Sequence, residues 1–230
     1  MTATLPYLGF IIEGLTVTIG TTLAIFVGAM LIGAVVALSN TSEKGVLVVL
    51  ARGYITLFRA LPELLCIFIV YYGSDVALRV MAARFGTPYP DVSPFAAVAF
   101  ALGIQFGAYC AEIFGDARRA IPQGLIEAAE ALGLEPGQVV RRVTLPLMFM
   151  NATPALGNLF LVVLKVSALA SAIGLEEVTR RAKIVAGTTR EPFAPYAIAA
   201  VCFLVITAIA GLLQSYLEQR SRFGRSLVRS

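Results

Sequence analysis

The chain has 230 residues, of which 58% are hydrophobic and only 14% are charged, too little polar surface to cover a soluble domain of this size. The sequence therefore predicts an integral membrane protein. In such proteins an excess of lysine and arginine mostly lies in cytoplasmic loops, so the net charge of +4 gives no reason to expect nucleic-acid binding. The chain contains no histidine, which excludes imidazole metal sites and hydrolases that depend on a histidine base.

Five apolar stretches are long enough to cross a bilayer as helices, for which about 20 residues are needed. We expect the first stretch to remain as an anchor, because it lacks the basic region and cleavage site of a signal peptide. The second contains Pro62, which is expected to bend or interrupt its helix. The sequence thus predicts one all-α membrane domain over residues 1–230. The predicted spans cover residues 14–38, 61–80, 95–114, 147–172 and 195–217.

The positions of lysine and arginine predict the orientation of the chain, because cytoplasmic loops are enriched in them. Residues 39–60, 116–145 and the tail from 218 contain eleven, whereas the segments expected on the other side contain six. We therefore expect a periplasmic N-terminus and a cytoplasmic C-terminus. Segment 174–192 disagrees with this rule, because four of the six cations lie in it. These are Arg180, Arg181, Lys183 and Arg190.

Polar residues recur on two predicted spans at helical spacing, which places those of each span on one face. On the fourth span they are Asn151, Asn158 and Lys165, and on the third they include Glu112. Because ionisable groups within a bilayer are costly, they face a partner or a water-filled cavity. Two interpretations stay open: a path for a polar solute, or hydrogen bonds between helices with a Glu112–Lys165 ion pair. The candidate path residues are Glu63, Gln105, Tyr109, Glu112, Asn158 and Lys165.

Residues 122–146 are a polar and charged segment between two apolar runs, so we expect them to lie in water. Pro122 is favourable in the first turn of a helix, and Gly133 is a natural helix end. Pro136 then permits a second short helix that carries Arg141 and Arg142. The segment is predicted to be a helix, a tight turn and a second helix on the cytoplasmic side.

Six residues of this segment have a rigid spacing: a Glu-Ala-Ala triplet, glycine after three further residues, and Leu-Pro at the end. They are Glu127, Ala128, Ala129, Gly133, Leu145 and Pro146. Together they resemble the EAA loop of the permease subunits of bacterial ATP-binding cassette (ABC) importers. Stretches 58–73, 107–114, 156–158 and 164–178 are similar to the polar amino acid branch. Residues 191–193 add a likeness to its histidine, lysine, arginine, ornithine and opine permeases, although the chain departs from the branch at 115–116 and 150.

The resemblance implies an ABC importer type I permease fold, in which a cytoplasmic coupling loop at about 116–146 docks on an ATPase. It implies an inner-membrane subunit that moves a polar, cationic amino acid or an opine into the cytoplasm. The implied partners are a second permease, either a paralogue or an identical copy, two ATPase subunits, a periplasmic binding protein and membrane lipid. The chain itself would hold no catalytic residue, metal or cofactor, because ATP and magnesium belong to the ATPase.

Two other functions are compatible with the residues alone. An ion-coupled secondary transporter would use Glu112 and Lys165 as a relay, although the chain lacks the repeated halves that are common in such proteins. A membrane scaffold would transport nothing. In either case the chain has no GxxxxGK[ST] loop, so it cannot hold ATP in the usual phosphate cradle.

Overall fold

The computed structural model describes residues 4–39, 45–89 and 91–226, and over these residues it contains helices and no strands. Residues 40–44, which belong to the predicted cytoplasmic segment 39–60, and the last four residues of the tail lie outside the described residues. The helices are α1 (Leu8–Ser39), α2 (Gly45–Ala60), α3 (Glu63–Phe85), α4 (Pro94–Arg119), α5 (Gln123–Ala131), α6 (Pro136–Val139), α7 (Leu145–Val166), α8 (Val178–Thr189) and α9 (Phe193–Ser226).

Within the described residues, five helical stretches are long and apolar enough to cross a membrane, which confirms the five predicted spans. The predicted interruption of the second stretch is also present, because α2 ends at Ala60 and α3 begins at Glu63. Between them Pro62 is extended, with ψ at 137°. The proline ring lacks an N–H and clashes with the preceding turn, so the two helices cannot join smoothly. The five stretches are Leu5–Ser39, Glu63–Phe85, Pro94–Arg119, Pro136–Ile173 and Phe193–Gln219.

The fourth span begins earlier than predicted. A π-helical turn, Val140–Thr144, links α6 directly to α7, so the second helix of the polar segment continues into the membrane. At its other end α7 passes into a 3-10 turn, Ser167–Ile173, before Gly174 ends the helix with a φ of 92°. The second helix of the polar segment is therefore continuous with the fourth span.

Helix α4 lies at the centre of the bundle and packs against α1, α2, α3 and α7. Its alanines and glycines allow close approach, as small residues do in membrane helices. The core is built around side chains with at most 1% of their surface exposed, among them Ile25 of α1, Phe106 of α4 and Val163 of α7. This packing fixes the two polar ends of the bundle relative to each other.

The segments at the two ends of the bundle are the α5–α6 hairpin and α8. The hairpin lies between the end of α4 and the start of α7, whereas α8 follows the end of α7. Helix α8 packs on the beginning of α1, where the backbone N–H of Val178 donates to the Thr18 hydroxyl at 3.3 Å. Segment 174–192 thus lies at the same end as the start of α1, as the number of spans predicts.

Candidate functional site

The α5–α6 hairpin has the predicted helix, tight turn and second helix. Gly133 adopts a left-handed φ of 81°, a region that residues with a side chain rarely occupy. Its N–H donates to the Glu130 carbonyl at 2.9 Å, and the Leu134 N–H donates to the Ala129 carbonyl at 3.2 Å. Pro136 begins α6, where its missing N–H costs nothing. The turn is therefore closed by local hydrogen bonds that depend on the glycine conformation.

The outer surface of the hairpin is formed by α5 and the residue after it. Glu127 and Ala128 are exposed, and Leu132 is 84% exposed. Ala129, by contrast, is buried, because α5 packs there against α6 and the π-helical turn. Of the Glu-Ala-Ala triplet, only the first two residues therefore present a surface to a partner. Leu145 and Pro146 are exposed in the first turn of α7, on the path from the hairpin into the membrane.

Three predicted path residues share the α4 face that meets α2 and the α2–α3 break. Gln105 is fully buried, and its Nε2 donates to the Leu61 carbonyl at 2.6 Å. That carbonyl lies at the break, where helical hydrogen bonding is interrupted. The Oε1 of Gln105 is buried without a hydrogen-bond partner among the described residues. Gln105 therefore holds the break in place, and Glu63 lies in the first turn of α3 just beyond it.

Glu112 forms an ion pair with Arg59 at the end of α2. The Arg59 guanidinium also lies over the Tyr109 ring, 5.4 Å from its centroid, a cation–π arrangement. Both side chains of the pair are 40% exposed, so water or a solute can reach them. Sequence reasoning missed Arg59, which it treated only as a loop charge. Arg59 lies in an apolar run three residues before Pro62, and this position could have predicted a role within the membrane.

The alternative Glu112–Lys165 ion pair is wrong, since Arg59 holds the carboxylate. Lys165 is exposed near the end of α7 and makes no ion pair within the described part of the chain. The predicted polar stripe on α7 is divided as well. Asn151 donates to the Ala117 carbonyl of α4 at 3.2 Å, whereas Asn158 accepts from Gln214 of α9 at 3.1 Å. The structure therefore brings the α4 residues together but leaves Asn158 and Lys165 apart from them.

A cavity of about 550 Å³ opens between α1, α7 and α9, next to the Asn158–Gln214 pair. Its walls are almost entirely apolar, formed by residues such as Phe26, Phe160 and Leu213. A polar amino acid would lose its hydration there without gaining hydrogen bonds, which costs free energy. This cavity is thus unsuited to a charged solute, unlike the face around Glu112.

Comparison with known proteins agrees with this architecture. Residues 9–223 match the family model of the inner membrane component of binding-protein-dependent transport systems. The chain is 37% identical over 216 residues to the histidine/lysine/arginine/ornithine transport system permease protein HisQ of Salmonella typhimurium, covering 94% of this chain and 95% of that protein. It is 37% identical over 200 residues to the octopine transport system permease protein OccQ of Rhizobium radiobacter, covering 86% and 84%.

A solved structure is similar along nearly the whole chain. It is the crystal structure of an amino acid ABC transporter with histidines, and one of its chains superimposes with a TM-score of 0.82 at 33% identity. The match covers 95% of this chain and 97% of that one. This chain therefore belongs to the family of inner membrane components of binding-protein-dependent transport systems, and its five-span bundle is that of an ABC transporter permease.

Proposed function

We propose that the chain forms part of a bacterial importer that carries a cationic amino acid or an opine into the cytoplasm. The observation that supports this solute class is that relatives aligned along most of the chain are named for histidine, lysine, arginine, ornithine and octopine transport. The exposed ion pair of Arg59 and Glu112 adds a carboxylate of the right sign for such solutes.

In this proposal the α5–α6 hairpin contacts a cytoplasmic ATPase subunit. ATP and magnesium bind to that partner, and this chain performs no bond chemistry. Because α6 runs without a break into α7, a displacement of the hairpin by the ATPase is transmitted to the fourth span. The complex contains two such ATPases, a second permease that is a paralogue or an identical copy, and a periplasmic binding protein. The N-terminus lies in the periplasm and the C-terminus in the cytoplasm of the inner membrane.

The solute path in this chain follows the α4 face that carries Gln105, Tyr109 and Glu112, with Glu63 at the α2–α3 break. A solute guanidinium or ammonium reaching Glu112 competes with Arg59, because both offer the same charge to one carboxylate. The Tyr109 ring already accepts a cation on its face and would accept a solute cation in the same way. Asn158 and Lys165 lie away from this face, so we assign neither to the path.

Reconstituted uptake tests the solute class. The chain would be co-expressed with its second permease and ATPase, reconstituted into vesicles, and supplied with candidate binding proteins. We expect ATP-dependent uptake of lysine, arginine, histidine or octopine and not of leucine or glutamate. Uptake that persists without ATP and collapses with a protonophore would establish a secondary transporter instead. ATP hydrolysis that never depends on solute would indicate a scaffold.

Changing Glu112 to glutamine is expected to lower uptake of the cationic solute by about tenfold or more, because it removes the carboxylate at the path. The matched control is the double variant with Arg59→Gln, which removes both charges and leaves no unpaired ion. If Glu112 binds the solute, the double variant stays defective. If the pair is only structural, the double variant recovers wild-type uptake, and the assignment of Glu112 to the path is wrong.

A further inference from the structure

Helix α8 is a fixed platform at the end of the bundle opposite the hairpin. Its residues Val178, Ala182 and Val185 are at most 1% exposed and pack with Ile11 of α1 and Cys202 of α9. A Cβ on Gly14 of α1 would lie 2.7 Å from the Val178 nitrogen, so the two backbones are in direct contact. Helix α8 is therefore closely packed against the membrane spans α1 and α9.

The start of α8 is held by a buried carboxylate. Glu177 is fully buried and accepts hydrogen bonds from the N–H groups of Thr179 at 2.9 Å and Arg180 at 2.7 Å. Burial raises the pKa of Glu177, and these backbone N–H groups counteract that rise. The carboxylate thus points inward and caps the helix, and it does not neutralise the outer surface of α8.

Among the described cations in and next to α8, Arg181 forms an ion pair within the fold and the others do not. Arg181 is turned inward: its side chain is 15% exposed and donates to Glu13 and to the Phe10 carbonyl, each at 2.9 Å. Lys183 is exposed and Arg180 partly so, one turn apart on the face opposite the buried residues. Within the described chain neither forms an ion pair, and the same holds for the exposed Arg190 after the helix.

This charge lies where topology disfavours it. By our orientation α8 is periplasmic, and lysine and arginine in short periplasmic loops oppose correct insertion. Two further basic residues lie at this end: Arg79 is neutralised by Asp75 at 3.1 Å, whereas Arg84 is exposed at the end of α3. Glu176 is exposed just before α8, but no acid lies within the helix itself. A cationic surface that is retained against the insertion rule calls for a partner of opposite charge.

We propose that the outward face of α8, centred on Arg180, Lys183 and Ile184, is the surface on which an acidic patch of the periplasmic binding protein docks. This inference rests on the proposed orientation and function. The family description itself requires a binding protein, and α8 lies at the end of the bundle opposite the hairpin. Ile184 is 39% exposed, one turn after Arg180 and next to Lys183 in the chain, and the neighbouring Gly187 leaves room for close approach. The face thus combines an exposed apolar side chain with adjacent charges, as protein interfaces do.

Anionic lipid is the competing occupant, and the composition of α8 argues against it. A helix that lies in the membrane surface buries a broad apolar stripe in the lipid. The apolar residues Val178, Ala182 and Val185 are instead buried against α1 and α9. Ile184 alone is too little apolar surface to hold the helix in lipid. The outward face is therefore suited to water and a protein partner.

The test uses the assembled transporter in lipid nanodiscs with the binding protein that supports uptake in the reconstituted assay. ATP hydrolysis is measured as that binding protein is titrated. Charge reversal by Arg180→Glu with Lys183→Glu should raise the half-saturating concentration about tenfold or more and leave the maximal rate unchanged, since rim charges act mainly on association. Increasing salt should raise the half-saturating concentration of the wild-type complex and lower that of the charge-reversed variant, because salt screens the attraction in the first and the repulsion in the second. Arg84→Glu is the matched control, because Arg84 is exposed at the same end but outside α8.

Several outcomes would overturn the docking surface. An unchanged half-saturating concentration does so, as does an equal shift in the Arg84→Glu control, which would show a general charge effect. A shift that disappears in nanodiscs of phosphatidylcholine alone would assign α8 to anionic lipid. If the reversed variant does not assemble, Arg180→Gln with Lys183→Gln should still raise the half-saturating concentration, and no change would again refute the proposal. If wild-type hydrolysis responds to no binding protein, the proposed function itself fails.

Discussion

Replacing Gly133 with valine is expected to abolish ATP hydrolysis that depends on solute and binding protein. The φ of 81° at this position costs an ordinary residue about 1–2 kcal/mol, and a β-branched side chain more. A Cβ on Gly133 would meet nothing within 4 Å, so the cost arises from the backbone alone. The valine therefore opens the turn without disturbing the bundle. We expect normal amounts of folded complex, with solute-dependent hydrolysis reduced by about tenfold or more.

Two substitutions control for this effect. Gly133→Asn should retain most of the coupling, because asparagine tolerates the left-handed region better than other residues with side chains. Gly124→Ala places a methyl group on the exposed start of α5, where it also meets nothing within 4 Å, and should change little. Wild-type coupling in Gly133→Val would show that the conformation of this turn is not needed for communication with the ATPase.

Replacing Gly33 with alanine is expected to destabilise the whole bundle. A Cβ at Gly33 would lie 2.9 Å from the Ala111 nitrogen of α4 and closer still to the Cys110 Cβ. Neither the α4 backbone nor a buried Cβ can move aside, so the added methyl group must separate α1 from α4. These two helices form the most extensive contact in the described structure. Overpacking of this kind costs about 1–3 kcal/mol and occasionally more, so the melting temperature and the yield of the solubilised protein should fall.

Gly20→Ala on the same helix is the matched control. A Cβ at Gly20 meets nothing within 4 Å, so the substitution removes only the backbone freedom of glycine. In a helix this change stabilises by about 0.5–1 kcal/mol. The two variants should thus shift the melting temperature in opposite directions. If Gly33→Ala were as stable as Gly20→Ala, the close contact between α1 and α4 would be refuted.

The hairpin was predictable because its structure is decided locally. Glycine at 133 and prolines at 122 and 136 restrict the backbone at their own positions, whatever surrounds them. The structure differs from the predicted hairpin in two respects: Ala129 is buried, and α6 continues into α7. Both changes depend on how α5 folds back onto α6 and the π-helical turn, which no local preference determines.

The solute face was predictable only in part. Helical spacing placed Gln105, Tyr109 and Glu112 on one face of α4, since a helix has a fixed number of residues per turn. It could not say which helix that face meets. The ion pair of Glu112 with Arg59 joins residues far apart in the chain, and it forms because the break at Pro62 brings the end of α2 against α4.

The sequence by itself determined the five spans, the tight turn at Gly133 and the membrane class of this protein. In lipid, backbone N–H and C=O groups must be satisfied within each helix, so a long apolar run has little choice of structure. Only the tertiary structure decided the partners of Glu112 and Asn158, the burial of Ala129 and the inward turn of Arg181 and Glu177. Each of these depends on how helices rotate and approach one another, which follows from packing over the whole bundle and not from any one segment.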